Sequence, residues 1–281
     1  MFRRFLGMCF LACAALTAQE PKYFVTYSHH IEEPGNLEVG IRNVWGSPKG
    51  GNAFLGSATE IEYGVKGWWT TEFYLDGQHT SNESTTFTGY RFENRFRPLA
   101  REHRINPVGY FEFENINSAD KSLLEVVGHD GKEDFLERTS RAEKKREIET
   151  KLILSSNAKG WNISENFIAE KNLAGEPWEF GYAFGVARPL ATQVRANECT
   201  FCRENFSAGL EAYGGLGDTQ TFGFRDTSHY VAPLLTWRSP EAMTFTISPS
   251  FGLSDNSHRF LLRFGVSYEV TQIASKFRGD K

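Results

Sequence analysis

The segment from Phe260 to Val270 constrains the fold more than any other, because apolar and polar side chains alternate along its whole length. In a strand, one face would hold Phe260, Leu262, Phe264, Val266, Tyr268 and Val270. The other face would hold Leu261, Arg263, Gly265, Ser267 and Glu269. Successive side chains of a strand point to opposite faces, so the first face is apolar and the second mostly polar. A soluble sandwich could bury the apolar face, whereas an outer-membrane barrel would expose it to lipid and keep the charges in its lumen.

Four residues of this segment also resemble an assembly signal. Arg263, Gly265, Tyr268 and Val270 follow the order polar, Gly, hydrophobic, hydrophobic, which resembles the C-terminal signal of outer-membrane barrel proteins. The resemblance implies that the barrel-assembly machinery recognises this strand. The chain departs from the pattern, because a C-terminal tail (residues 271–281) follows where many such proteins end on an aromatic residue.

The N-terminus predicts export from the cytoplasm. Arg3 and Arg4 precede an apolar run (residues 5–16) and small residues before Gln19, which is the order of a secretory signal peptide covering residues 1–18. The run is too short for a transmembrane helix, and no stretch of about 20 apolar residues occurs later in the chain. A lipoprotein acylated at Cys13 is an alternative, but it would require an unusually short signal.

Charge and composition narrow the class further. The 31 Lys and Arg residues fall to 29 once Arg3 and Arg4 are removed, against 35 Asp and Glu. This acidic balance argues against a nucleic-acid partner. The chain is rich in Phe, Tyr, Trp and Gly, which suits β structure. Its mean hydropathy of −0.43 is compatible with a membrane barrel, since lipid-facing and lumen-facing residues average out.

Alternation between turn signals predicts about twelve strands, with a range of 10–14. They cover residues 37–45, 58–65, 68–76, 86–96, 107–115, 147–154, 161–170, 178–188, 206–214, 229–237, 243–253 and 259–270. An even number suits a single-chain barrel. We therefore expect an all-β, antiparallel, up-and-down barrel over residues 37–270, preceded by a periplasmic arm (residues 19–36).

Connections and tryptophans indicate how this barrel lies in the bacterial outer membrane. With the N-terminus in the periplasm, the short connections 66–67, 155–160 and 238–242 face the periplasm, and the long connection 116–146 faces outward. The connections 189–205 and 254–258 break this trend. The indole ring prefers the membrane interface, and every tryptophan lies at a predicted strand end: Trp45, Trp68, Trp69, Trp161, Trp178 and Trp237.

The same alternation points a set of charged side chains into the lumen, since a Lys or Arg facing lipid at mid-bilayer costs about 2–4 kcal/mol. These candidate lumen-lining residues are Glu60, Glu62, Glu72, Arg91, Glu93, Arg95, Glu112, Glu114, Glu211, Arg259 and Arg263. They could pair across strands and fill a narrow lumen, or line a water-filled path. Glu165 is an exception, because it shares a face with Trp161 and Phe167. A β-bulge or an interface position could explain it.

Two polar groups could bind metal, but other interpretations fit them better. Cys199 and Cys202 have the spacing of redox and zinc motifs, yet without a second cysteine pair a local disulfide is favoured over metal capture or redox activity. Residues 28–33 (Ser-His-His-Ile-Glu-Glu) combine imidazoles and carboxylates, but neighbouring side chains diverge in an extended chain, which favours a solvated arm. We predict no metal site and no cofactor.

The sequence does not predict an enzyme. Ser228–His229 and Ser257–His258 match no nucleophile-and-base motif, and adjacency in sequence does not give triad geometry.

One hairpin, residues 59–69, resembles a group of bacterial outer-membrane proteins described as transporters or linked to a phenol-degradation pathway. The likeness lies in a Glu-Tyr-Gly strand end, a short turn and aromatic residues, and it implies a barrel without implying a substrate. We therefore predict a channel or porin-like transporter for small polar or aromatic solutes, embedded in outer-membrane lipid. The alternatives are a plugged barrel whose external loops bind a partner, or a soluble exported β protein.

Overall fold

A computed structural model describes residues 23–48, 51–117, 127–129, 144–191 and 199–273. The predicted signal peptide (1–18), the first part of the predicted arm (19–22), most of the connection 116–146 and the end of the tail (274–281) lie outside these residues. Within the described residues, no helix is long and apolar enough to cross a membrane.

The described chain forms the predicted antiparallel barrel of twelve strands. The strands are β1 (Leu37–Gly46), β2 (Phe54–Lys66), β3 (Trp69–Thr80), β4 (Ser84–Phe96), β5 (Asn106–Asn117), β6 (Lys144–Ala158), β7 (Trp161–Asn172), β8 (Trp178–Pro189), β9 (Phe206–Asp218), β10 (His229–Arg238), β11 (Met243–Gly252) and β12 (Phe260–Val270). Each end lies within four residues of its predicted position. The fold class read from the alternation is therefore confirmed.

Closure depends on the first and last strands. Each strand pairs with its neighbours in sequence, and β1 pairs antiparallel with β12 from Leu37 opposite Val270 to Gly46 opposite Leu261. A closed barrel leaves no sheet edge, so the strand backbone can satisfy its hydrogen bonds without water. The segment that predicts the fold is thus the strand that completes it.

The outer surface is an apolar band with aromatic residues at both rims. Large apolar side chains point outward along every strand, among them Val39, Phe73, Phe92, Leu152, Phe167, Leu235 and Phe264. At the rim where the N-terminal residues enter, Trp69 stacks on Phe96 with ring centroids 6.1 Å apart. At the opposite rim, Trp45 meets Phe260 at 6.4 Å. Two aromatic girdles around an apolar belt define a lipid-facing surface.

Glu165 interrupts this surface. It is exposed on β7 between Ile163 and Phe167, opposite Leu154 on β6 and Phe184 on β8. Both ladders run through this position without a register shift, so the bulge suggested by the sequence is absent from this part of the structure. The carboxyl group therefore lies on the lipid-facing surface, between apolar neighbours and four residues from Trp161 at the rim.

Replacing this carboxyl group should stabilise the barrel. We expect Glu165→Leu to raise the free energy of unfolding by about 1 kcal/mol, less than the ~2–4 kcal/mol for a cation at mid-bilayer, because Glu costs less there. Urea unfolding in phospholipid vesicles measures the change. Leu152→Glu, on the same surface of β6, serves as the reverse control and should destabilise. A lower stability of Glu165→Leu would show that the carboxylate has a favourable role in the membrane.

Candidate functional site in the barrel lumen

Residues 23–36, the part of the predicted periplasmic arm that the structure describes, run from the barrel interior to an exposed turn at Glu33 and Pro34, just before β1. We call them the luminal segment. Tyr23, Phe24, Val25 and Thr26 are buried, and so is His29, whose Nδ1 lies 2.8 Å from Ser155 Oγ. The prediction of a solvated arm for Ser28 and His29 was therefore wrong. The reason is that polar side chains of the inner wall replace water as hydrogen-bond partners.

Glu211 on β9 provides the main attachment. The backbone N–H groups of Phe24, Val25 and Thr26 donate to its carboxylate at 3.2, 2.9 and 2.8 Å. Glu211 is fully buried, so these bonds replace the hydration that the carboxylate would have in water. Hydrogen bonds to a charged acceptor are roughly twice as strong as those between neutral groups. A single wall residue therefore fixes three consecutive residues of the luminal segment.

Neighbouring wall residues bind the next backbone groups. Asn166 on β7 accepts the N–H of Tyr27 at 2.6 Å and donates to the carbonyl of Tyr27 at 2.9 Å. Arg42 on β1 donates to the carbonyl oxygens of Phe24 and Tyr23 at 2.6 and 3.3 Å. At the start of the segment, the Tyr23 hydroxyl donates to Asn162 Oδ1 at 2.8 Å. The segment is thus held from several sides of the lumen.

On the wall formed by β2 to β6, buried charges pair across strands. Arg95 on β4 bonds to Glu62 of β2 at 2.6 Å, to Glu72 of β3, and pairs with Glu93 at 2.8 Å. The Tyr27 hydroxyl of the luminal segment donates to Glu93 at 3.0 Å. Burial, together with the Glu93 carboxylate, raises the pKa of Tyr27, so its hydroxyl remains a donor at neutral pH.

A second group of ion pairs lies farther along the same wall. Arg91 binds Asp76 of β3 at 3.0 Å and Glu112 of β5 at 2.8 Å. On β6, Lys151 lies 2.9 Å from Glu149 and 4.7 Å from the ring centroid of Tyr27. Buried charges are tolerated when opposite charges and hydrogen bonds surround them. This wall therefore combines structural ion pairs with a negatively charged surface.

The structure places ten of the eleven predicted lumen-lining residues in buried, inward positions. These are Glu60, Glu62, Glu72, Arg91, Glu93, Arg95, Glu112, Glu114, Glu211 and Arg263. Arg259 differs from the prediction: it is exposed in the connection before β12, because that strand begins one residue later than expected. The prediction omitted further inward charges that the same alternation could have identified, namely Glu38, Arg42, Asp76, Glu147, Glu149 and Lys151.

The opposite wall contains an apolar cluster beside its polar residues. Phe24 and Val25 of the luminal segment join one cluster of buried wall residues from β1, β2, β7 to β10 and β12, including Val44, Phe54, Tyr213 and Leu261. Val127, from the long connection between β5 and β6, belongs to the same cluster. The backbone N–H of Gly128 donates to Phe180 of β8 at 3.0 Å, which anchors this part of the connection. Residues from both sides of the membrane thus meet in an apolar layer.

A cavity of about 390 Å³ lies beside the luminal segment. Its charged lining comes from the luminal segment and from β1 to β4, β10 and β12, and it includes Glu38, Arg42, Glu60, Glu62, Glu72, Arg95, Arg238 and Glu269. Carboxylate oxygens of Glu38, Glu60 and Glu62 lie within 4.8 Å of one another, as do those of Glu112, Glu114 and Glu149. Arg42, Arg95 and Lys151 pair with Glu60, Glu62 and Glu149 of these groups.

The structure joins Cys199 and Cys202 by a disulfide, with their Cα atoms 5.5 Å apart. The two cysteines precede a single 3-10 turn, Arg203–Asn205, in the connection between β8 and β9. Phe201 stacks on Trp237 of β10 at 5.0 Å, and the indole N–H of Trp237 donates to the carbonyl of Thr200 at 2.9 Å. The disulfide loop therefore lies against the aromatic girdle at the rim where the N-terminal residues enter.

The two Ser-His neighbours lie near the opposite rim, in loop contacts. The Ser257 hydroxyl bonds to the backbone N–H and C=O of His229, each at 2.8 Å. The Ser228 hydroxyl donates to the carbonyl of Asn256 at 3.0 Å. These bonds connect the β9–β10 loop to the β11–β12 loop, which is a structural role.

The closed barrel, its apolar band and its charged interior define the class: a bacterial outer-membrane β-barrel, located in the outer membrane. Among solved structures, the fold is similar to the KdgM porin in complex with disordered oligogalacturonate. The TM-score is 0.53 at 8% identity, over 82% of this chain and 98% of that chain. A second KdgM porin structure gives 0.53 at 7% identity over the same shares. Such low identity establishes the fold alone.

Other barrels match less closely. The outer-membrane protein OpdK from Pseudomonas aeruginosa gives a TM-score of 0.36 at 7% identity, over 84% of this chain and 98% of that chain. The sequence matches no protein-family model and no curated protein. The resemblance of residues 59–69 to the phenol-degradation group thus has no support from a sequence relative.

Removing the central cation of the charged wall should strongly destabilise the barrel. Arg95→Gln would leave Glu62, Glu72 and Glu93 buried without their shared counter-charge, so we expect a loss of about 3–5 kcal/mol in the free energy of unfolding. Urea unfolding in detergent measures it. The matched control, Arg259→Gln, removes an exposed arginine and should change stability by less than about 0.5 kcal/mol. Equal effects of the two variants would contradict a structural role for the Arg95 pairs.

Proposed function

We propose that the barrel is a non-enzymatic passage for small polar or aromatic solutes, closed by the luminal segment in the state described here. The observation that carries this proposal is that the lumen is closed by a separate segment of the chain. Wall side chains do not fill the lumen alone; a segment outside the β-ladder occupies it, held by hydrogen bonds to Glu211, Asn166 and Arg42. Bonds of this kind can exchange with water or with a solute.

The lumen charge supports a preference for cationic or neutral solutes. Among the described residues, eleven buried carboxylates, all on strands, stand against four buried Lys and Arg. A path lined by one sign of charge concentrates ions of the opposite sign. Oligogalacturonate, named with the KdgM porin, is an acidic oligosaccharide, and this lumen would repel it. The shared fold therefore does not imply a shared solute.

A permanently plugged barrel is the second candidate, and Val127 favours it. This residue is 2% exposed and shares the apolar cluster of Phe24 and Val25, so an extracellular connection strengthens the closure. A barrel blocked from both sides could act through its external loops, as a binding surface for a partner.

We also infer that the assembly machinery recognises β12. This strand carries the polar, Gly, hydrophobic, hydrophobic order and closes the barrel against β1. The tail that follows it folds back: the N–H of Ile273 donates to the carbonyl of Gly35 at 2.9 Å.

Loosening the luminal segment should open the passage. We expect Glu211→Gln combined with Asn166→Leu to raise the open fraction about tenfold or more, because it weakens or removes the hydrogen bonds that hold residues 24–27. Planar-bilayer recording of purified protein measures it. Glu165→Gln, which makes the same carboxyl-to-amide change on the lipid-facing surface, should conduct like the wild type. If the loosened variant also fails to conduct, the plugged barrel is the better description.

The open passage should prefer cations. In a KCl gradient across the bilayer, the reversal potential of the loosened variant should have the sign expected for K⁺ over Cl⁻, since lumen carboxylates outnumber cations. The preference should weaken at high salt, because screening shortens the reach of these charges. A reversal potential favouring Cl⁻ would contradict the assignment of the lumen as acidic.

A further inference from the structure

The contacts around the luminal segment mostly involve its backbone. Four consecutive N–H groups, from Phe24 to Tyr27, donate to Glu211 or Asn166. The carbonyls of Tyr23, Phe24 and Tyr27 accept from Arg42 or Asn166. Every residue except proline carries this donor and acceptor, so such contacts identify a polypeptide without fixing its sequence.

Thr26 shows most directly that the wall binds the backbone. Its N–H is bonded to Glu211 at 2.8 Å, whereas its hydroxyl oxygen is buried with no hydrogen-bond partner among the described residues. A site selected for threonine would satisfy this hydroxyl, because a buried hydroxyl without a partner costs free energy. The wall therefore binds residue 26 as a piece of polypeptide, and valine would fit as well.

The side chains of the segment contact apolar and cationic wall residues that would accept many different side chains. Phe24 and Val25 enter the apolar cluster, and Arg42 lies 5.6 Å from the ring centroid of Phe24. Gly185 on β8 leaves room for Tyr23 and Thr26, since a Cβ atom there would collide with both. Backbone hydrogen bonds combined with pockets for alternate side chains are a recurring mode of peptide recognition.

We propose that this part of the lumen, formed by Arg42, Glu211, Asn162 and Asn166, is a peptide-binding site. It holds the luminal segment in the closed state and accepts a separate peptide when that segment leaves. The ligand class is a short peptide with free backbone N–H groups and two consecutive apolar side chains. This inference concerns binding and goes beyond the proposed passage, so its test does not use conductance.

The geometry allows the exchange to be measured on the folded, full-length protein. Glu33 and Pro34 are exposed, so a protease site inserted between them can be cut after folding, which leaves the N-terminal piece held only by non-covalent contacts. Excess isotopically labelled copies of that piece are then added, and mass spectrometry follows replacement. We expect the labelled piece to replace the original. Retention of the original piece under large excess would overturn the proposal.

Synthetic peptides of residues 23–33 test what the site binds, as competitors in the same exchange. N-methylation at Val25 and Thr26 removes two donors to Glu211 and should weaken competition about tenfold or more. A control peptide N-methylated at Ile31, whose amide makes none of these wall contacts, should compete like the unmodified peptide. A Thr26→Val peptide should stay within about twofold. Equal competition by the peptide N-methylated at Val25 and Thr26 would show that the backbone is not recognised.

Two barrel variants locate the site. Glu211→Gln should lower the affinity for the unmodified peptide about tenfold, because the three backbone donors lose a charged acceptor. Glu165→Gln changes the same functional group outside the lumen and should leave affinity unchanged. Equal loss in both variants, or in neither, would overturn the assignment to Glu211. Peptide exchange in a barrel that never conducts would support this site while rejecting the passage.

Discussion

The hydrogen bonds between β1 and β12 are the constraint on which the rest of the structure depends. Lipid offers no partner for backbone N–H and C=O groups, so a sheet in the membrane must close on itself. Closure fixes one face of every strand toward lipid and the other toward the lumen. The large apolar side chains go outward, and the polar residues of the chain gather in a narrow interior. Because these polar residues are crowded in the lumen, they need hydrogen-bond partners and counter-charges from the protein in place of bulk water.

The two walls of the lumen meet this requirement in different ways. On β2 to β6, Arg91, Arg95 and Lys151 provide cations to neighbouring carboxylates. On β9, backbone N–H groups of the luminal segment donate to the Glu211 carboxylate and take the role that cations have on the other wall. The segment thus helps to stabilise the buried charge of the interior. Its removal would leave a carboxylate that must be hydrated or bound by another donor.

The sequence predicted the parts of the fold that depend on side-chain alternation. β8 and β12 were found almost to the residue, because lipid demands large apolar side chains at every second position. The C-terminal ends of β3 and β9 were missed, because residues 77–80 and 215–218 are mainly small or polar and carry no alternation. Alternation also assigned Glu72 and Arg95 to the lumen, but it could not show that they pair, since register is not visible in one strand.

The position of the luminal segment could not be predicted for a related reason. Its backbone donors meet Glu211, a partner more than 180 residues later in the chain, and an amide group leaves no signature in the sequence. Ser28 and His29 suggested a solvated arm because their polar character fits water and a polar lumen equally well. An error of one residue in a strand boundary can also misplace a side chain. Arg259 lies just before β12 and is exposed, although it was predicted to line the lumen.

The distance in sequence between the luminal segment and Glu211 has a consequence for the order of assembly. The segment precedes β1 in the chain, yet its binding wall includes β7 and β9, which are made much later. Contacts between such distant residues form late, because a long loop must close first. The segment therefore has to remain unoccupied by other partners until the barrel is nearly complete, and its docking marks the end of folding.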